Sequence, residues 1–270
     1  MEIKKLEFSR DWRNPTDFPT YQDDETQVRA DQQALFELEY KDVQGENESD
    51  EQFANFRAMS GGLLKEDLMY RSASPCNNEH NRAAIADTLA EAAGIRFVIN
   101  LADSREELDE YREMEDYSSD YYDSLCAEGN VLLLNLGANY EDQSFAQSIS
   151  DALYKMASHE GPYLVHCTEG KDRTGFTCAL ILALCSTDQH EIIDDYMITF
   201  DNYYGINEAS DPERYAAVED IAYDFLQYLI GAEDREAMTP EALKEGAQNY
   251  LRYGGLSDQQ IQEIEKVLTD

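Results

Sequence analysis

Apolar residues in this chain fall into short continuous runs separated by longer segments with a three-to-four-residue rhythm. "DLMYRS" (67–72), "RFVINL" (96–101), "VLLLNL" (131–136) and "PYLVHC" (162–167) are the runs, each of a length that suits a buried strand. Between them, "RAAIADTLAEAAGI" (82–95) predicts an amphipathic helix stopped by Gly94, and "DQSFAQSISDALYKMASHEG" (142–161) predicts a second with Gly161 past its end. The segment "ADSREELDEYREMEDYSSDYYDS" (102–124) predicts a helix in its first half and a solvated, tyrosine-rich loop in its second. Strands alternating with helices predict an α/β sheet flanked by helices.

The run "TGFTCALILALCS" (174–186) is apolar on nearly every face, which predicts a helix buried against the sheet rather than lying on its surface. Four further helical patterns follow, over 188–204, 212–231, 239–255 and 257–270, two of them opened by the capping pairs Thr239-Pro240 and Ser257-Asp258. They form a C-terminal helical layer or lid. Residues 1–52 are polar and acidic and end in a stretch too hydrophilic for a core, so they read as an extension, with one domain over 53–270.

Composition narrows the functional classes. The 270 residues carry 57 acidic and 21 basic side chains, a net charge of -36 that repels nucleic acid and anionic membranes at long range. An anionic ligand must therefore be captured by a local positive site. The opening "MEIKKLEFSRDWRNP" has no apolar run behind its lysines, and no stretch approaches the ~18 apolar residues of a membrane span, so the expectation is a cytoplasmic protein without stable membrane insertion. The five cysteines lack paired short spacings and are expected reduced, and four scattered histidines give no support for a metal or other cofactor.

One stretch concentrates chemistry. "VHCTEGKDRTG" (165–175) joins a buried strand to a buried helix, so its loop lies at a strand's carboxyl end and a helix N-terminus, where amides are unpaired and the dipole is positive. Amides from Thr168 to Arg173 are placed to cradle a phosphate or sulfate, with Gly170 supplying the positive φ that closes the ring and Arg173 a planar fork for two oxygens. The same field favours the thiolate of Cys167, a nucleophile toward phosphorus, and Thr174 is placed to bond the sulfur when it leaves. An ATP-binding loop is excluded, because GxxxxGK[ST] requires glycine where Val165 stands and Ser or Thr where Asp172 stands.

C-x5-R followed by threonine is the signature of cysteine-dependent tyrosine phosphatases, and "HCTEGKDRTG" resembles its form in bacterial atypical tyrosine and phosphoinositide phosphatases. "NFRAMSGG" (55–62), "LMYRSASP" (68–75), "VINLADSREE" (98–107), "DDYMIT" (194–199) and the closing "YLRYGGLSDQQIQEI" (250–264) are similar to other segments of that family. The resemblance implies a cysteine-phosphatase-like sheet and a phosphocysteine intermediate, with Cys167 attacking and Arg173, Thr168, Glu169, Gly170, Lys171 and Thr174 holding the phosphoryl group. It makes Asp172 the general acid, with Asp142 and Asp103 as alternatives. It also implies phosphotyrosine in proteins as substrate, with a phosphoinositide as the alternative.

Two departures from the family pattern bear on specificity. Glu169 adds a carboxylate at the mouth that should repel heavily phosphorylated substrates, and Ala102-Asp103 stand where an arginine is usual; Lys171 pulls the other way, toward a second phosphate. His166 is placed to tune the thiolate through a carbonyl, or to serve structure alone. Cys178 and Cys185 are expected to pack, and the resemblance implies that Cys76, which follows "YRSASP", lies near the catalytic loop, within reach of Cys167 for a disulfide under oxidation. Outside this enzyme class stand a catalytically silent phosphate-binding module, which has no use for an activated nucleophile, and a sulfurtransferase, which has none for a general acid.

Overall fold

The computed structural model describes residues 49–232 and 234–270, so the expected extension lies outside them except for Ser49 to Gln52. A short helix α1 (Asp50–Phe53) leads to β1 (Arg57–Ala58) and β2 (Met69–Ser72). Then come α2 (Ala83–Ala92), β3 (Phe97–Asn100), α3 (Arg105–Arg112), α4 (Asp120–Ala127) and β4 (Val131–Leu133). Next are α5 (Gln143–Met156), β5 (Tyr163–His166) and α6 (Asp172–Leu184), followed by α7 (Gln189–Tyr204), α8 (Pro212–Ile230), α9 (Pro240–Tyr253) and α10 (Asp258–Thr269). No helix among the described residues is long and apolar enough to cross a membrane.

The five strands lie in the order β1-β2-β5-β3-β4, with β1 antiparallel to β2 and the other pairs parallel. Successive side chains of a strand point to opposite faces, and the sequence uses both. Phe97, Ile99, Tyr163 and Val165 enter the larger core, whereas Val98 and Leu164 enter the smaller one on the other side. Ser72, His166 and Asn100 stand level across the three middle strands, so the loops that follow them meet at one edge of the sheet. In open parallel sheets this carboxyl edge is where ligands bind.

Helix α6 is the pillar behind that edge. Every residue from Thr174 to Leu184 is buried, enclosed by β5, α7, α8 and α9, which accounts for its unbroken apolar run. Gly175 lets α7 come close, since a Cβ there would press into the Tyr196 ring at 2.6 Å. Thr239 caps α9 and Ser257 caps α10, the latter through a reciprocal capping box.

The structure departs from expectation in the tyrosine-rich segment. Its second half is not a solvated loop but helix α4, with Tyr122 buried and its hydroxyl accepting a hydrogen bond from Asn100 Nδ2 at 2.9 Å. The helix is started from a distance: the Asp87 carboxylate on α2 accepts from the amides of Tyr121 (3.0 Å) and Tyr122 (2.7 Å). Local sequence gives no sign of such a cap. β4 is also shorter than its apolar run, although Leu134 N and Leu136 N still donate to the Asn100 and Leu101 carbonyls, and the Leu136 carbonyl accepts from Arg173 at the start of α6.

Candidate active site

The loop from Cys167 to Lys171 is held by its carbonyls. Those of Thr168, Glu169 and Gly170 point away from the loop's centre: the first accepts from Ser74 N at 3.0 Å, the second from the Tyr203 hydroxyl, the third from Arg71 Nη2 at 2.8 Å and Asn55 Nδ2 at 3.3 Å. In a trans peptide the carbonyl of one residue and the amide of the next point opposite ways. Turning three carbonyls outward therefore turns the amides of Glu169, Gly170 and Lys171 inward, beside the first amides of α6. Among the described residues, the amides of Thr168, Gly170, Asp172 and Arg173 donate to no protein acceptor. Gly170 adopts φ +67°, and a Cβ there would collide with the Ser72 carbonyl, so only glycine fits.

A buried ionic shell stands behind the cradle. Asp195 on α7 accepts from Arg71 Nη1 and from Arg57 Nε at 3.2 Å, and its carbonyl takes Arg57 Nη2 at 2.6 Å. Asn55 joins them, donating to Thr199 Oγ1 at 3.2 Å and accepting from Arg57 Nη1 and Asn202 Nδ2. Burial alone would raise the Asp195 carboxyl, but the two guanidiniums hold it below its ordinary value. Burial opposes the charge on both arginines: it brings Arg57 down to about 10, aided by the neighbouring Arg71, whereas Asp195 outweighs it at Arg71 and keeps that group firmly cationic. Arg71 is also within electrostatic reach of Cys167, so a fixed positive charge lies near the nucleophile as well as under the Gly170 carbonyl.

Cys167 is 3% exposed, at the head of this arrangement. Burial pushes His166 down to about 4, so the ring is neutral at pH 7, and it donates Nδ1–H to the Cys167 carbonyl at 3.2 Å, a group that can only accept. The Arg173 guanidinium folds across the loop, donating to the Leu136 carbonyl at 2.8 Å and to Thr168 Oγ1 at 3.2 Å. The Thr174 hydroxyl is buried with no hydrogen-bond partner among the described residues.

The three candidate acids are in different settings. Asp172 opens α6 with 46% of its side chain still accessible, yet the protein around the carboxyl raises its pKa; Lys171 opposes that shift and Glu169 reinforces it. Asp142 is an exposed N-cap residue at the start of α5. Asp103 is buried, and its oxygens accept from Asn100 Nδ2 at 2.9 Å, the Tyr111 hydroxyl at 3.2 Å and Cys76 Sγ at 3.6 Å.

The loop charges differ from expectation. Glu169 is not a free negative charge at the mouth, nor is Lys171 a free positive one: Lys171 Nζ lies 2.9 Å from Glu169 Oε2 and 3.2 Å from the Tyr204 hydroxyl, and Glu169 Oε1 lies 3.6 Å from His80 Nε2. The turn at Gly170 brings the two side chains onto one side, so each charge meets the other rather than solvent. Cys76 faces Ser74, Asn100 and Asp103, and no disulfide joins it to Cys167, while Cys178 and Cys185 pack in the core as expected. Sequence reasoning missed Arg71, Asp195 and Tyr203, although an arginine inside the apolar run "LMYRSA" is itself a signal, since a buried charge requires a partner.

Among the described residues, no group of three or more His, Cys, Asp or Glu side chains is arranged to hold a metal ion. A sequence model described as the tyrosine phosphatase family matches residues 51–270. Curated relatives include a tyrosine-protein phosphatase of Nostoc commune, 31% identical over 115 residues that make up 40% of this chain and 39% of the relative. Another is the triple specificity protein phosphatase PtpB of Mycobacterium tuberculosis, 33% identical over 95 residues, 26% of this chain and 34% of the relative. The chain thus matches well under half the length of either.

Proposed function

Since this chain belongs to the tyrosine phosphatase family, we propose that it hydrolyses phosphomonoesters through a phosphocysteine formed on Cys167, acting on phosphotyrosine in cytoplasmic proteins. The observation that carries the reading is the inverted loop. Three outward carbonyls leave a ring of inward amides around a nearly buried cysteine, with a guanidinium across the ring. Such a ring is complementary to the equatorial oxygens of a phosphoryl group in flight.

The Cys167 thiolate attacks phosphorus as the bond to the substrate oxygen breaks, and Asp172 gives that oxygen a proton. Its raised pKa keeps the carboxyl closer to the protonated form than an ordinary aspartate. Water then attacks the thiophosphate, the Asp172 carboxylate takes a proton from it, and sulfur leaves as thiolate. The buried Thr174 hydroxyl suits the role of donor to that sulfur. Asp142 and Asp103 are less well placed for this step, one capping a helix at the surface and the other engaged by Asn100, Tyr111 and Cys76.

A silent binding module is disfavoured, because Cys167, Asp172 and Arg173 are all present and Arg173 already reaches across the loop. The phosphoinositide alternative rests on Lys171, whose ammonium is engaged by Glu169. Turnover of a phosphotyrosine peptide compared with a panel of inositol phospholipids tests the choice, and preference for the lipids would reverse it. For the acid, Asp172→Asn should slow substrates with poor leaving groups by about 10²–10⁴-fold and activated aryl phosphates far less. Equal losses on both would move the role to Asp142 or Asp103.

A further inference from the structure

Lys171 is the one cation of the loop besides Arg173, and it is not turned to solvent. Its side chain is only 7% accessible, its ammonium lies 2.9 Å from Glu169 Oε2 and 3.9 Å from Asp172 Oδ2, and the rings of Phe200 and Tyr204 approach it to 5.9 and 5.7 Å. Asp172, the neighbour on its other side, is nearly half accessible and marks the mouth. The ammonium is thus one carboxylate away from where substrate enters. The carboxylate that neutralises it comes from the same loop, and a second contact, from His80, helps hold Glu169 in place.

Building on the phosphatase reading, we propose that the Glu169 side chain occupies, from within the loop, the place a second anionic group of a substrate would take against Lys171, making the site selective for isolated phosphomonoesters. An adjacent phosphate would have to displace Glu169 from Lys171 and His80, breaking both contacts of a carboxylate with about one-eighth of its surface exposed. Such an exchange is costly in a poorly solvated setting, where charge pairs interact far more strongly than in water. A lone phosphate uses the amides and Arg173 and leaves the pair intact. The pair also bears on the proton donor, because Glu169 favours and Lys171 disfavours the protonated form of Asp172.

The test compares calorimetric binding of orthophosphate and of pyrophosphate, the simplest phosphate bearing an adjacent one, for the wild type, Glu169→Gln and Glu169→Gln/Lys171→Met. Glu169→Gln should improve the affinity ratio of pyrophosphate to orthophosphate by about tenfold or more, and the added Lys171→Met should cancel that gain. An unchanged ratio in Glu169→Gln, or a gain that persists without Lys171, overturns the proposal. Glu169→Asp, which retains the charge but shortens the reach, should fall between the two and serves if the glutamine variant does not fold. Hydrolysis of a phosphotyrosine peptide by the same wild-type preparation is read separately. Its absence sinks the phosphatase reading, whereas the binding ratio decides the role of Glu169 on its own.

Discussion

Asp195→Ala should lower the melting temperature by about 10 °C and remove most phosphatase activity, although Asp195 hydrogen-bonds to Arg57 and Arg71 rather than to the loop itself. The carboxylate bridges Arg71, which is fully buried, and Arg57, which is nearly so. Removing it leaves two guanidiniums side by side in the interior, a loss of about 3–5 kcal/mol for a broken buried pair. Activity should fall as well, because Arg71 holds the Gly170 carbonyl that keeps one peptide of the ring inverted. Thermal melting and turnover of a phosphotyrosine peptide measure the two effects. A variant as stable and active as the wild type would mean that the shell is not what holds the loop.

The same group gives a pH dependence of definite sign. The folded-state pKa of Asp195 is depressed, so its contribution to stability is present above the unfolded carboxylate value of about 3.9 and is lost as pH falls through the folded value. In Asp195→Asn this part of the acid-induced decline should disappear. The remaining decline would belong to other carboxylates.

How much of this was legible in the sequence depends on what carried each feature. Strands β2, β3 and β5 and helix α6 announced themselves because burial on both faces, or on every side, demands unbroken apolar runs, whereas the two half-exposed residues of β1 carry no such run. The loop from Cys167 to Arg173 was legible because its groups are contiguous and its place between strand and helix fixes the field around it. Helix α4 was not, because its cap is supplied by Asp87 from another helix and its core contact is a tyrosine with a hydrogen-bonded hydroxyl. The ionic shell joins residues far apart in the chain, Arg71 and Asp195 being 124 positions from one another. No local period records such a pairing, although "NFRAMSGG", "LMYRSASP" and "DDYMIT" each prove to contribute residues to it. The Glu169–Lys171 pair is not legible from the two charges taken one at a time, because it is the turn at Gly170 that lets them meet.

The largest effect expected of any substitution is that of Cys167→Ser. A serine hydroxyl in the same cradle is a far poorer nucleophile near neutral pH than a thiolate, so kcat should fall by on the order of 10⁴-fold or more. The ring of amides and Arg173 does not depend on the sulfur, so orthophosphate should still bind. This split between lost turnover and retained anion binding separates a missing nucleophile from a collapsed loop.

The most direct test is therefore turnover of a phosphotyrosine peptide in EDTA by the wild type and by Cys167→Ser, with orthophosphate binding measured on both. The account predicts activity in the wild type that EDTA leaves intact, none above background in the variant, and phosphate binding in each. Activity that survives in Cys167→Ser, or that EDTA abolishes in the wild type, would contradict it.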